Sequence, residues 1–128
     1  MDDSKKNIHI LLFEDNELNQ KFAIAVINRL GHTVDLAENG LIGVEKYKKG
    51  SYDLILMDIQ MPEMNGIEAA KAIREIENKE GKHTPIIAVT AFALDQDRRN
   101  CYEVGMDDFL TKPYKLNDLA EKIKRFYP

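Results

Sequence analysis

The hydrophobic pattern of the 128-residue chain alternates between the period of a strand and the period of a helix. Five short apolar runs have strand character, and each is followed by a segment in which apolar residues recur every three or four positions. The predicted strands are NIHILLF, TVDLAE, YDLILMD, TPIIAVTA and DDFLTKP. Right-handed crossovers between parallel strands place helices on both sides of the sheet. The pattern therefore predicts a doubly wound α/β fold of five strands and five helices.

The strands differ in how apolar they are. YDLILMD and TPIIAVTA are apolar at consecutive positions, which is typical of central parallel strands covered on both faces. TVDLAE is more polar, and we expect it nearer an edge of the sheet.

The helical segments also predict which side chains face the core. We expect the first helix to end at Gly31 as its C-cap, a mostly polar fourth helix to stop near Gly105, and the fifth to begin at Asn117 as its N-cap. The residues predicted to face inward are Leu18, Phe22, Ala25, Val26 and Leu30, then Leu41, Val44 and Tyr47, then Ile67, Ala70, Ile73 and Ile76, and finally Leu116, Leu119, Ile123 and Phe126.

Composition and charge narrow the possible functions. With 44% hydrophobic and 31% charged residues, the chain has the composition of an ordinary globular domain, and its length fits one domain. A net charge of -4 argues against nucleic acid or an anionic membrane as a partner. Cys101 is the single cysteine, which excludes an internal disulfide, and we expect it to be a small inward-facing helix residue. Without a signal peptide or membrane-helix pattern, we expect a cytoplasmic location.

Notable polar residues occur where the predicted strands end. Strand one ends in Glu14 and Asp15, strand three in Asp58, strand four in Thr90, and strand five in Lys112. The carboxyl ends of parallel strands meet at one edge of the sheet, and this edge is where such folds bind ligands. The sequence therefore predicts that these side chains form one site.

This set of side chains suits a cation and a phosphoryl group. Mg²⁺ prefers oxygen ligands, and a bound cation would offset the repulsion between the neighbouring acids Glu14 and Asp15. Lys112 and Thr90 could offset the charge of an incoming phosphoryl group and donate hydrogen bonds to its oxygens. Asp58 is then the candidate nucleophile, because carboxylates attack phosphorus to give aspartyl phosphates.

Four segments together resemble the response-regulator receiver domain of two-component signalling. They are EDNELNQ, LILMDIQMPEMNG, PIIAVTA and GMDDFLTKP, and they occur in the order found in that family. The residues of these segments resemble receivers attached to hybrid histidine kinases more than those fused to DNA-binding regulators. The resemblance implies a flavodoxin-like strand order of 2-1-3-4-5 and a receiver domain over residues 8–128, preceded by a short polar tail over residues 1–7.

The resemblance also implies a role for each residue of the site. Asp58 would accept a phosphoryl group from a phosphohistidine on a histidine kinase or a histidine phosphotransfer protein. Asp15 and Asp58 would bind Mg²⁺ directly, Gln60 would add its backbone carbonyl, and Glu14 would act through a water molecule. Lys112 would pair with Asp58 and then with the phosphoryl group.

Signal output is implied in the same way. Thr90 and Phe109 correspond to the switch pair of the family, in which the hydroxyl moves toward the phosphate and the ring turns inward. The peptide bond between Lys112 and Pro113 is typically cis in the family. The resemblance implies that a downstream protein binds through helix 4, strand 5 and helix 5.

The chain is expected to be a phosphoacceptor and not an enzyme in the usual sense, although it would support Mg²⁺-dependent self-transfer and autodephosphorylation. In this family, residues equivalent to Gln60 and Phe92 flank the approach of the hydrolytic water. The apolar ring of Phe92 would crowd that approach, and we therefore expect a moderately long-lived phosphoform.

Other functions remain possible at this stage. A flavodoxin-like cofactor carrier needs a hydroxyl- and glycine-rich loop after strand one, where this chain has two acids. A hydrolase of the aspartyl-phosphate type would need an acid at Gln60. The main alternative is a pseudo-receiver that binds partners without being phosphorylated. His9, His32 and His83 lack metal-ligand spacing and are interpreted as surface or packing residues.

Overall fold

The computed structural model describes residues 7–61, 64–91 and 95–128. Five strands alternate with five helices along the chain, and every paired strand is parallel to its neighbour, in the order β2-β1-β3-β4-β5. The elements are β1 (His9–Phe13), α1 (Glu17–Arg29), β2 (Thr33–Ala37), α2 (Gly40–Lys49), β3 (Leu54–Asp58), α3 (Gly66–Glu80), β4 (Ile86–Thr90), α4 (Asp95–Glu103), β5 (Asp108–Thr111) and α5 (Leu116–Phe126). The predicted fold class and strand order are confirmed.

The sheet divides the hydrophobic core into two layers, because successive strand side chains point to opposite faces. On one face, Phe13 and Met57 pack with residues of α2, α3 and α4, including the fully buried Cys101. On the other face, Leu12 and Leu56 pack with residues of α1 and α5. All five residues of β3 and of β4 are buried, as expected for central strands, while β2 lies at an edge and is partly exposed.

The predicted inward face of α1 is right for Val26 and Leu30, which pack in or against the core, and wrong for the other three residues. Leu18 is 76% exposed, Phe22 is 46% exposed and Ala25 is also exposed. Besides the predicted Val26, the helix buries Ala23 and Ile27, which were not predicted. This helix is apolar around more than half of its circumference, so that the spacing of its apolar residues is compatible with either face.

α2 is also rotated relative to the prediction. Val44 and Tyr47 are buried as expected, but Leu41 is 49% exposed. The helix turns Gly40 and Gly43 toward the sheet together with these two side chains, and Leu41 lies beside that face. In α3, Ala70 and Ile73 are buried and Ile67 and Ile76 pack at the margin of the core, in agreement with the prediction.

Helix ends were predicted to within about two residues, the usual uncertainty of such boundaries. Gly31 follows the C-cap Leu30 and has a φ of 88°, the left-handed conformation that glycine favours. Asn117 is not an N-cap, because α5 begins one residue earlier at Leu116. Its first turn is closed by Asp118, which accepts a hydrogen bond of 2.8 Å from the backbone N–H of Lys115.

Residues 1–6 of the predicted polar tail lie outside the described residues. Over the described ranges, every helix is too short or too polar to cross a membrane.

Candidate functional site

The carboxyl ends of the strands bring distant residues together at one edge of the sheet. Glu14 and Asp15 follow β1, Asp58 ends β3, Thr90 ends β4, and Lys112 follows β5. The side chains of Glu14, Asp58 and Lys112 are in direct contact. The prediction that these strand ends form one site therefore agrees with the geometry of the charged groups.

Lys112 links two of the acids. Its Nζ donates hydrogen bonds to Glu14 Oε1 at 2.8 Å and to Asp58 Oδ2 at 3.0 Å. The side chains are 19%, 5% and 8% exposed for Lys112, Glu14 and Asp58, respectively, and water screens this contact little. The ammonium group therefore offsets much of the repulsion between the two carboxylates.

The carboxylates fit a hard divalent cation. One oxygen from each of Glu14, Asp15 and Asp58 can be chosen so that all three lie within 4.8 Å of one another. Asp15 is exposed, whereas the other two are buried, which leaves the cluster open to solvent on one side. Carboxylate oxygens with room for water molecules are the environment in which Mg²⁺ is usually held.

Backbone and side-chain donors hold the acids in place. Glu14 Oε2 accepts a hydrogen bond from the backbone N–H of Asn16 at 3.2 Å, and Asp58 Oδ1 accepts one from the backbone N–H of Gln60 at 2.9 Å. The side-chain amide of Gln20 donates to the Glu14 carbonyl at 2.8 Å. The role of Gln20 was not predicted, and its only signal in the sequence is a polar residue six positions beyond Glu14, near the start of a helix.

Burial and charge shift the proton affinities of this group. Burial raises the pKa of Glu14, and the nearby charge of Asp58 raises it further against the opposing hydrogen bond from Lys112. Burial on its own would lower the pKa of Lys112, but the hydrogen bonds and charges of Glu14 and Asp58 raise it above the usual lysine value. Burial and the charge of Glu14 raise the pKa of the neighbouring Tyr114 to about 12. At neutral pH, Lys112 is therefore a cation and Tyr114 a neutral phenol.

Thr90 and Phe109 lie on adjacent strands beside this group. Thr90 is 1% exposed, and its carbonyl accepts a hydrogen bond of 2.8 Å from the backbone N–H of Lys112. The Phe109 ring is 7% exposed, and the Arg98 guanidinium lies 5.2 Å from its centroid. The bond between Lys112 and Pro113 is cis, as the resemblance implied. The role of Thr90 and Phe109 as a switch pair remains a prediction.

Phe92 and the three histidines were also considered in the sequence. Phe92 is outside the described residues. Each histidine contacts residues of a neighbouring strand or loop: His9 contacts Thr33 and Asp35 of β2, His32 accepts a hydrogen bond from the Ile8 backbone N–H, and His83 contacts Asp107. His83 is exposed, and His9 and His32 are partly buried, which suits surface or packing positions.

Comparison with known proteins supports the same assignment. The family model described as "Response regulator receiver domain" matches residues 10–124. Hybrid signal transduction histidine kinase B of Dictyostelium discoideum is 46% identical over 132 residues, which span 95% of this chain but 7% of that protein. The chain thus corresponds to a small part of this relative.

Two solved structures show the same architecture. The receiver domain of sensor histidine kinase PA1611 from Pseudomonas aeruginosa PAO1, with a magnesium ion coordinated in its active site cleft, is 42% identical with a TM-score of 0.86, covering 94% of this chain and 97% of that one. The second is the co-crystal structure of the Saccharomyces cerevisiae histidine phosphotransfer signalling protein Ypd1 and the receiver domain of Ssk1. The match has 35% identity and a TM-score of 0.88, and it covers 95% of this chain and 90% of the matched chain. The chain therefore belongs to the response regulator receiver domain family of two-component phosphorelay signalling.

Proposed function

We propose that this receiver domain is a phosphorylation-dependent switch in which Asp58 accepts a phosphoryl group from a phosphohistidine. The observation that carries the proposal is the contact of Lys112 Nζ with both Asp58 and Glu14, next to the exposed carboxylate of Asp15. A buried nucleophile with a cation beside it and an open acidic cluster is suited to phosphoryl transfer.

In the proposed reaction, an oxygen of the Asp58 carboxylate attacks phosphorus. The bond between phosphorus and the donor histidine nitrogen breaks, its electron pair remains on the imidazole, and an aspartyl phosphate forms. Asp15 and Asp58, the backbone carbonyl of Gln60, and Glu14 through water would hold Mg²⁺, which supplies charge neutralisation when bound. Lys112 then exchanges its contact with Asp58 for one with a phosphoryl oxygen, and Thr90 donates a hydrogen bond to another.

The comparisons also support a class of partner. The matched relative is a hybrid histidine kinase, and one structural neighbour was crystallised with a histidine phosphotransfer protein. We infer that this chain takes its phosphoryl group from one of these two classes. The output would pass from Thr90 and Phe109 to a downstream protein on the surface formed by α4, β5 and α5. A cytoplasmic location of the domain is part of this proposal.

Hydrolysis of the aspartyl phosphate would occur at the same site as its formation. We infer intrinsic Mg²⁺-dependent self-transfer from small phosphodonors and slow autodephosphorylation, with no separate catalytic base. Gln60 is exposed beside Asp58, and its side chain is an amide that cannot act as a general acid or base. This property argues against a dedicated phosphatase.

Intact-mass analysis tests the proposal. The protein is incubated with acetyl phosphate, with and without Mg²⁺, alongside Asp58→Asn, which keeps the shape of the side chain but is a far weaker nucleophile. We expect the mass of one phosphoryl group to be added to the wild type with Mg²⁺ and to be absent from the variant. Failure of the wild type to gain this mass, in a folded state, would instead support a pseudo-receiver that acts through binding alone.

A further inference from the structure

We propose that two glycines of α2, Gly40 and Gly43, are positioning residues for the carboxylates of the site. α2 contributes none of the three acids, yet its glycine face touches both chain segments that carry them. The inference rests on the proposed function only in that it assigns a purpose to the site; the positioning itself is a property of the folded chain.

Local backbone conformation does not explain these glycines. The described glycines with positive φ are Gly31, Gly81 and Gly105, and neither Gly40 nor Gly43 is among them. Gly43 lies inside α2, where alanine would be more stable than glycine by about 1 kcal/mol, and Gly40 is the first residue of the helix, after the N-cap Asn39. The absence of a side chain at these positions must therefore allow neighbouring segments to approach the helix closely.

Gly43 makes room for Phe13. A Cβ built on Gly43 would overlap Cε2 and Cζ of the Phe13 ring and would lie 2.6 Å from its Cδ2, whereas ordinary carbon contacts are about 3.5 to 4.0 Å. Phe13 is fully buried and is joined by a peptide bond to Glu14, whose N–H continues the strand ladder to the Ala37 carbonyl at 3.0 Å. A backbone shift at Phe13 would therefore move the acidic pair that follows it.

Gly40 makes room for the segment that follows β3. A Cβ at Gly40 would overlap the backbone carbonyl oxygen of Met64 and would lie 2.7 Å from its Cβ. A change of rotamer cannot move a backbone oxygen, and relief of this overlap requires movement of the segment. That segment is connected to the site, because the Gly66 N–H donates to the Ile59 carbonyl at 3.3 Å, one residue beyond Asp58.

The two glycines act as one surface. Residues three positions apart lie on the same side of a helix, and Val44 and Tyr47 anchor that side in the core. The glycine face therefore fixes the segment ending in Phe13 and the segment containing Met64 against a single rigid element. The pairing of β1 with β3 sets the spacing of the two strands, and we infer that the glycine face of α2 adds a second constraint on the segments that follow them.

Two alanine variants test the inference by where their effects appear. In the metal-free protein, we expect Gly43→Ala to shift the amide NMR signals of Glu14 and Asp15, and Gly40→Ala to shift those of Ile59 and Gln60. Both variants should bind Mg²⁺ about tenfold more weakly than the wild type. A loss of this size is usual when a residue that orients metal ligands, without binding the metal itself, is mutated. The proposal would be overturned if the two variants fold and the amide signals of both loops do not shift. It would also be overturned if both variants bind Mg²⁺ as tightly as the wild type.

A matched control and a rescue separate positioning from general loss of stability. Ile123→Val removes buried volume from α5, on the opposite face of the sheet, and should lower the free energy of unfolding while leaving Mg²⁺ affinity unchanged. Phe13→Leu removes the ring atoms that a side chain at residue 43 would meet, and adding it to Gly43→Ala should restore the Glu14 and Asp15 signals and the affinity. A weakening of Mg²⁺ binding in Ile123→Val equal to that in Gly43→Ala would contradict the proposal, as would failure of the rescue.

The outcome does not depend on phosphorylation. If Gly43→Ala alone does not fold, the double variant decides the question, since a folded double variant with weak Mg²⁺ binding contradicts the inference and one with wild-type binding supports it. If the wild type takes no phosphoryl group, the proposed function fails, whereas the amide signals and the Mg²⁺ titration still report on the positioning.

Discussion

Lys112 contacts two of the carboxylates that a bound metal ion would also use. Its ammonium group donates to Glu14 Oε1 and Asp58 Oδ2, and these carboxylates also belong to the cluster suited to Mg²⁺. A single side chain therefore has two opposing effects at this edge of the sheet. It stabilises the two buried acids without metal, and it lowers the negative charge that attracts a cation.

These opposing effects predict an unusual phenotype for Lys112→Met. Removal of the ammonium leaves the carboxylates without their cation, and we expect Mg²⁺ to bind several-fold more tightly than to the wild type. Phosphoryl transfer to Asp58 should nevertheless fall by at least about 100-fold, because the positive charge beside the developing oxyanion is lost. Calorimetric Mg²⁺ titration and intact mass measure the two effects, and Lys115→Met, an exposed lysine nearby, is the control. Weaker Mg²⁺ binding by Lys112→Met would contradict the expected effect on metal binding.

At the scale of elements, a buried polar group fixes α3 at the end of the sheet opposite the site. Glu77 of α3 is 2% exposed and accepts hydrogen bonds from the Tyr47 hydroxyl at 2.7 Å and from the Thr84 backbone N–H at 2.6 Å, and it pairs with Arg74. Burial alone would raise the pKa of Glu77, but these donors lower it below the usual value. The ionised form of Glu77 is therefore part of the folded state.

This lowered pKa predicts the sign of the acid response. The unfolded chain takes up the proton more readily than the folded one, so the contribution of Glu77 is complete at neutral pH and is lost as the pH falls below about 5. We expect Glu77→Gln to lower the free energy of unfolding by about 2 kcal/mol at pH 7 and to lose less stability than the wild type between pH 6 and pH 3. Urea denaturation at each pH measures this, with the exposed Glu80→Gln as control. Parallel pH curves for Glu77→Gln and the wild type would refute the assignment.

The sequence predicted the order and type of elements more securely than the orientation of the helices. Consecutive apolar residues in YDLILMD and TPIIAVTA specified buried strands, and the strand ends then placed Asp58, Glu14 and Lys112 at one edge. The face of α1 could not be predicted, since Leu18 and Phe22 are as apolar as the residues that are buried. The close approach of α2 was also hidden, because it depends on the space around Gly40 and Gly43 and not on an apolar side chain.

For the whole molecule, Mg²⁺ binding should raise the stability of the folded state against unfolding. A ligand that binds the folded state alone stabilises it by about 2.7 kcal/mol at 100 times its dissociation constant. We expect Mg²⁺ to raise the thermal midpoint of the wild type and to have much less effect on Asp15→Asn, which lacks one anionic oxygen of the cluster. Glu17→Gln removes the same charge from the first turn of α1 outside the cluster and is the control. Equal midpoint shifts in Asp15→Asn and the wild type would show that Mg²⁺ acts elsewhere.

The contact between Lys112 and Glu14 joins residues 98 positions apart in the sequence. It can form only after β5 has taken its place at the edge of the sheet, where Asp108 is tied to α5 through Lys122 and Arg125. Contacts of such long sequence separation are slow to form, because the chain between them must be ordered first. A partly folded chain without β5 would keep its acids but lack their lysine. Competence for phosphorylation should therefore report completion of folding, and chains that have not finished folding should be silent in the signalling pathway.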